Sequence, residues 1–355
     1  MKKRYLLAGV LAFSLAPFSI VLGENLPDDA ALRKMVLDNG IKPFPKTAQE
    51  LSALAEKSAP ESKTNKSTPA KVELGKKLYF DPRLSRSNLI SCNTCHNLGL
   101  GGVDLVPAAI GHKWQPNPEH LNSPSVYNSV FNEVQFWNGR ATHLSEQAQG
   151  PMENPVEMAY AKKEIEKRIN SIPAYVDEFK KAYGANTKIS FELIAETIGV
   201  FERTLVTPSP FDDYMNGNNN ALNKQQKEGL VLFIDKGCAT CHSGINLGGS
   251  MQPFNVVKEY KFTSLGGFKG NEDGMVKTPT LRNIAQTAPY FHNGAIWKLT
   301  DAIKEMGNVQ LGTDIDDTQA QSIATFLRSL TGRKPTIEYP QLPDSTDNTS
   351  IPTFD

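Results

Sequence analysis

The sequence predicts a mainly α protein built from two similar helical modules. Three observations carry that expectation. Two-residue strand alternation is scarce, while apolar residues recur at three- and four-residue spacing along the chain. A segment at Gly75 recurs at Gly229, and each copy is followed by a C-x-x-C-H pentapeptide and then a glycine pair. All four cysteines of the 355 residues sit in those two pentapeptides.

The composition suits a soluble chain with a real core: 39% of residues are hydrophobic and 21% charged. Its 38 basic and 38 acidic residues give no basic excess, which speaks against nucleic acid as a partner. The one long apolar run is N-terminal, which excludes a multi-span membrane protein. It reads as an export signal over residues 1–23: Lys2, Lys3 and Arg4 before an apolar stretch from Leu6 to Ala16, then a small-residue cut at Val21-Leu22-Gly23. Pro17 and Ser19 interrupt the stretch and weaken a retained anchor. Cleavage leaves 35 basic against 38 acidic residues, a periplasmic location and no membrane association.

Residues 24–70 are read as an extension and linker, helical and loosely periodic to residue 60 (Leu32, Met35, Val36; Leu51, Leu54, Ala55), then polar from Glu61 to Ala70. Residues 71–206 form the first module. Its opening helix, Lys71 to Phe80, begins the repeat: Gly75, Leu78, Tyr79, Phe80 and Asp81 match Gly229, Leu232, Phe233, Ile234 and Asp235. Further helices are expected at Ala161–Asn170, Ala174–Tyr183 and Phe191–Leu205, the last presenting Ile194, Ile198, Phe201 and Leu205 to a core. A Pro-, Gly- and Asn-rich connection spans 207–221, and the second module 222–333. Its clearest helices are Leu299–Met306 and Thr318–Leu330, with Ile323, Phe326, Leu327 and Leu330 on one face. The tail, 334–355, is either loose or strapped back onto the other module.

C-x-x-C-H is the pattern for covalent c-type haem attachment. Two thiols (Cys92 and Cys95; Cys238 and Cys241) add across the haem vinyls, and the next residue (His96; His242) is placed to bind iron. Each module is therefore expected to be a cytochrome c-like domain with one haem c. A thioredoxin-like pair would not need the repeated His, and a structural zinc site would gather four ligands rather than two pairs about 146 residues apart. The opposite axial positions stay open to His112, His120, His143, His292, Met251, Met275 or Met306, although a lone His or buried Met is ordinarily a structural residue. His/Met ligation raises the potential and suits electron transfer, whereas a vacatable position admits peroxide.

From Lys71 to Leu330 the chain resembles the bacterial di-haem cytochrome c peroxidase family. The resemblance is carried by GHKWQPN (111–117), NSPSVYNSVFN (122–132), QFWNGRA (135–141), EQAQGPMENPVEM (146–158), TPTLRNIAQTAPYFHNGA (278–295) and EMGNVQLG (305–312). It implies the following roles. His112 is similar to a distal ligand of the first haem that departs on activation. Glu157 resembles the acid–base carboxylate above that iron, with Gln147 beside it. Met306 resembles the axial ligand opposite His242, and Trp137 the residue between the haems. Asn122, with the carbonyls of Thr287 and Pro289, resembles a calcium site. His292 matches a motif position with no ligand role.

The implied activity is reduction of hydrogen peroxide to water, with electrons from a small cytochrome c or copper protein passing from the second haem to the first, in a homodimer. Two alternatives remain open: a pure electron carrier with both irons six-coordinate, and a relative that oxidises a partner protein's side chains to build a quinone cofactor. The latter branch carries Tyr where Met306 stands.

Overall fold

The computed structural model describes residues 26–254 and 256–354, so the export-signal segment lies outside the described residues. None of the described helices is long and apolar enough to cross a membrane. The chain is mainly helical, with one short antiparallel ribbon among the described residues: β1 (Met251–Pro253) pairs with β2 (Met275–Lys277), placing Met251 opposite Lys277.

The first module contains α3 (Pro69–Phe80), α4 (Cys92–Cys95), α5 (Leu144–Glu153), α6 (Lys162–Asn170), α7 (Pro173–Tyr183) and α8 (Phe191–Glu202), after α1 (Asp29–Asp38) and α2 (Ala48–Ser58) of the extension. Thr68 caps α3 through the Lys71 N–H, with Pro69 in the first turn where no amide partner is required. Leu74, Leu78, Tyr79, Tyr175, Phe179, Ile194, Ile198 and Phe201 form its core. The second module follows α9 (Pro210–Met215) with α10 (Lys224–Asp235), α11 (Leu299–Met306) and α12 (Asp317–Arg328), around Leu230, Phe233, Ile323, Phe326 and Leu327.

The repeat now has a physical reason. In the first module α3 crosses α8 at Gly75, where an added methyl would run into the Thr197 carbonyl oxygen and the Phe201 Cβ. In the second, α10 crosses α12 at Gly229, where a methyl would meet the Ser322 carbonyl oxygen and the Phe326 Cβ. Each glycine lets two helix backbones touch, and each crossing helix is the one that precedes a cysteine motif.

Both ends of the chain bind the modules together. In the extension, Leu32 and Val36 of α1 join the second module's core, while Leu51 and Ala55 of α2 pack with Phe131 and Leu144 of the first. The tail is strapped onto the first module: Ser350 accepts from Arg168 Nε (2.8 Å), Thr353 accepts from Arg86 Nε (3.0 Å), and Tyr339 packs edge-on against Phe80.

Two polar stretches expected as connections are built structure. Within Glu61–Ala70, Ser62 and Asn65 are buried, and the Asn65 carbonyl accepts from Arg203 (2.7 Å). Within 207–221, α9 presents Asp212 to Arg282 in a buried bidentate pair at 2.9 Å for each contact, with the Arg282 guanidinium 3.5 Å over the Phe44 ring. Composition flagged both as polar, and burial of the partners reversed the outcome. A third feature lies directly after Met306, at Gly307. The residue is helical, the chain continues as a π-turn through Leu311, and reversal comes at Gly312 in the left-handed region (φ 62°). Gly307 instead admits the close approach of Ile315.

Candidate functional site

Each cysteine motif opens onto its own cavity. Cys92, Cys95 and His96 line one of about 1220 Å³; Cys238 and His242 line another of about 1170 Å³. Cys241 lies three residues after Cys238, at the end of the same short turn. Burial pushes the Cys95 thiol up to about 12 and Cys238 to about 11, and raises Cys92 and Cys241 also. A thioredoxin-like pair needs the opposite shift. Among the described residues no three His, Cys, Asp or Glu side chains gather as a metal cluster.

The two histidines are prepared alike. His96 Nδ1–H donates to the Pro124 carbonyl (2.9 Å), and His242 Nδ1–H to the Leu247 carbonyl (3.1 Å). A carbonyl only accepts, so each bond fixes the proton on Nδ1 and leaves the Nε2 lone pair for a metal. Burial lowers both pKa values, His242 to about 4, which keeps the imidazoles neutral. Tyr79 adds a hydroxyl bond to the His96 carbonyl (2.6 Å), tying the motif to α3. Paired thiols, a neutral oriented imidazole and an adjoining cavity fit a covalently held haem in each module.

The cavities differ in their remaining walls. Glu157 and Gln147 line the first. The half-buried Glu157 carboxyl has its pKa raised by burial, against the opposing pull of Arg140 and of a hydrogen bond from Asn154 Nδ2 to Oε1 (3.0 Å). His112 is buried nearby but is not among the lining residues; its neighbour Gly111 is, pressed against the Val156 carbonyl and the Glu157 backbone. The following Lys113 and Trp114 both hold left-handed backbone (φ 60° and 57°), an uncommon state for side-chain-bearing residues.

Met306 lines the second cavity with His242, whereas Met251 and Met275 lie on the ribbon outside that lining. Asn122, Thr287 and Pro289 all line the same cavity. Asn122 Nδ2 donates to the Val106 carbonyl (2.8 Å), which leaves its Oδ1 for another partner. Trp137 is buried and lines both cavities, its Nε1–H donating to the Asn122 carbonyl (2.9 Å).

The other histidines have structural positions. His120 Nδ1–H donates to the Asn293 carbonyl (3.1 Å), and His143 caps α5 by accepting from the Glu146 N–H (3.2 Å). His292 is buried among Trp137, Phe254, Tyr260 and Phe268.

Sequence reasoning missed two titratable cavity residues. Glu202 lines the first cavity, pushed up to about 8 by burial and the nearby Glu61; Lys277 lines both. Neither stands in a motif, and both acquire their setting only through packing.

Comparison with known proteins agrees with this architecture. A family model described as di-haem cytochrome c peroxidase matches residues 69–220, and one described as cytochrome c matches 226–331. The chain is 50% identical to cytochrome c551 peroxidase of Pseudomonas aeruginosa over 292 residues, 79% of this chain and 84% of the relative. It is 45% identical to the protein of the same name from Nitrosomonas europaea, covering 78% and 85%. It is 31% identical to methylamine utilization protein MauG of Methylorubrum extorquens, covering 83% and 89%. Among solved structures, a MauG-like protein associated with microbial copper homeostasis shares the fold with a TM-score of 0.64 at 24% identity, over 76% of this chain and 91% of that one. The chain therefore belongs to the di-haem cytochrome c peroxidase family, as an oxidoreductase whose two cytochrome c-like modules each take one haem c.

Proposed function

We propose that this chain reduces hydrogen peroxide to two waters, consuming two protons and two electrons from a small cytochrome c or copper protein. The observation that carries the reading is the unequal furnishing of the cavities: Glu157 and Gln147 share one with His96, while Met306 shares the other with His242. When bound, one haem would supply a peroxide-binding iron, held by Cys92, Cys95 and His96, and the other an electron relay, held by Cys238, Cys241, His242 and Met306.

Glu157 moves the protons. Its carboxylate accepts one from peroxide and returns it to the departing oxygen. Burial favours the protonated form, and Arg140 with the Asn154 hydrogen bond opposes that rise. The Gln147 amide orients peroxide. The His112 segment is the gate: Gly111 rests on the Glu157 backbone, so displacing the turn at 112–114 reaches the acid–base residue directly. Asn122 Oδ1 and the carbonyls of Thr287 and Pro289 are hard oxygen donors suited to calcium. Trp137 lies on the electron path between the modules.

The donor docks over the second module. Exposed Val256, Val257 and Trp297 support this, because Val257 packs on the turn after Met306 and Trp297 precedes α11. The sequence motif at residues 1–23 supports periplasmic work; homodimerisation is carried over from the family resemblance.

The test is stoichiometric turnover by the haem-loaded protein, with and without pre-reduction. The reading expects two equivalents of reduced cytochrome c oxidised per peroxide. A protein that exchanges electrons with the donor while peroxide persists is an electron carrier instead.

A further inference from the structure

Lys277 ends β2, where its N–H donates to the Trp137 carbonyl (2.8 Å) and its partner across the ribbon is Met251. Only 4% of it is exposed, yet it lines both cavities. Of the described residues common to the two linings, it is the one bearing a charge. Its ammonium makes no hydrogen bond and no ion pair among the described residues. Burial alone pulls its pKa down to about 8.

An ammonium on a side chain this buried and without an anion is unfavourable, and such a group persists where a counter-charge completes it. The protein offers none on the shared wall. Glu157 and Glu202 line the first cavity only, and no carboxylate lines the second. Arg282, the other cation of the second cavity, is already matched by Asp212. The Ser123 and Ser125 hydroxyls donate to Asp104 and to the Gly101 carbonyl, both at 2.8 Å. The anions that enter these cavities are the haem's own: each haem c carries two propionate carboxylates.

We infer that Lys277 is a cofactor-binding residue that neutralises propionate charge from both haems at the wall between them. It thereby anchors the two cofactors to one point, next to Trp137, and sets both potentials together. A fixed cation beside each haem favours the reduced form, which carries one positive charge fewer. This rests on haem occupancy of both cavities and is independent of peroxide turnover.

The test is spectroelectrochemical titration of both haems in the full-length, haem-loaded protein, comparing wild type with K277M and K277R. K277M should shift the oxidised-to-reduced equilibrium of each haem about tenfold towards the oxidised form, about 59 mV for one electron. K277R should keep both potentials. Unchanged potentials in K277M with both haems attached, or a shift confined to one haem, would overturn the assignment. Should K277M fail to accumulate, redox-difference infrared spectra of wild type and K277R with haem 13C-labelled at the propionates decide the matter. Carboxylate bands of both haems should move when lysine becomes arginine, and bands that do not move refute the contact. Full peroxidase activity leaves this result unaffected, so the inference and the functional reading fail separately.

Discussion

In the proposed mechanism Glu157 and Met306 divide the chemistry between two side chains that the sequence alone does not distinguish from an ordinary surface carboxylate and an ordinary core methionine. Glu157→Gln should retain both haems and peroxide access while slowing turnover by roughly 10² or more, read as kcat with a reduced cytochrome c donor. Met306→His should lower the second haem's potential, within a ligand-dependent span of about 0.8 V, in a redox titration; an unchanged potential means another residue ligates. The cysteine motifs and their histidines were legible because covalent chemistry imposes a local spacing. The hydrogen bonds that orient those histidines come from carbonyls at Pro124 and Leu247 and follow from the fold. Lys277 and Glu202 were not legible for a related reason: burial is a tertiary property, and neither the segment that starts just after Lys277 nor the helix that holds Glu202 shows that these side chains are buried. His112 shows the limit from the other side, since a motif located it but the structure sets its neighbour Gly111 on the cavity wall.

At the scale of elements, the duplicated glycine is a packing requirement. Gly75→Ala and Gly229→Ala should each destabilise by about 1–3 kcal/mol through overpacking, nearly additively because the crossings are in different modules, as measured by chemical denaturation. The Asp212–Arg282 pair makes a second prediction. Burial alone would raise the Asp212 pKa, but the Arg282 guanidinium and hydrogen bonds from the Phe44 amide and Ser209 hold it below its ordinary 3.8. Its stabilising contribution is therefore present above that value and is lost as pH falls through the lowered one. Asp212→Asn should cost about 3–5 kcal/mol at neutral pH by stranding a buried guanidinium, with the gap to wild type closing in strong acid. Periodicity located the long helices well: Phe191–Glu202 and Asp317–Arg328 were expected within a few residues. Short α9 was missed because six residues hold too few turns to display a period.

Across the whole molecule, two modules with separate cores are held together by the chain's own ends. The extension places one helix on each module, and the tail from the second module ends against α6 of the first through Arg168. Composition left the tail open between loose and strapped, because its contacts are single hydrogen bonds and one ring pair rather than an apolar stripe. Deleting residues 335–355 removes the Ser350 and Ile351 partners of the buried Arg168, a loss of about 1–2 kcal/mol. Calorimetry should show the first module's transition falling by about 2–8 °C and the second module's staying in place. The same union puts Trp137, Asn122 and Lys277 on a wall common to both cavities, the boundary that the proposed electron transfer would cross.

Electron paramagnetic resonance of the half-reduced, calcium-loaded protein, before and after one equivalent of hydrogen peroxide, tests this division of labour most directly. The account predicts a high-spin signal from the haem at Cys92, Cys95 and His96 that peroxide abolishes, while the haem at His242 and Met306 donates the electron. A first haem that stays low-spin and unresponsive to peroxide would contradict it.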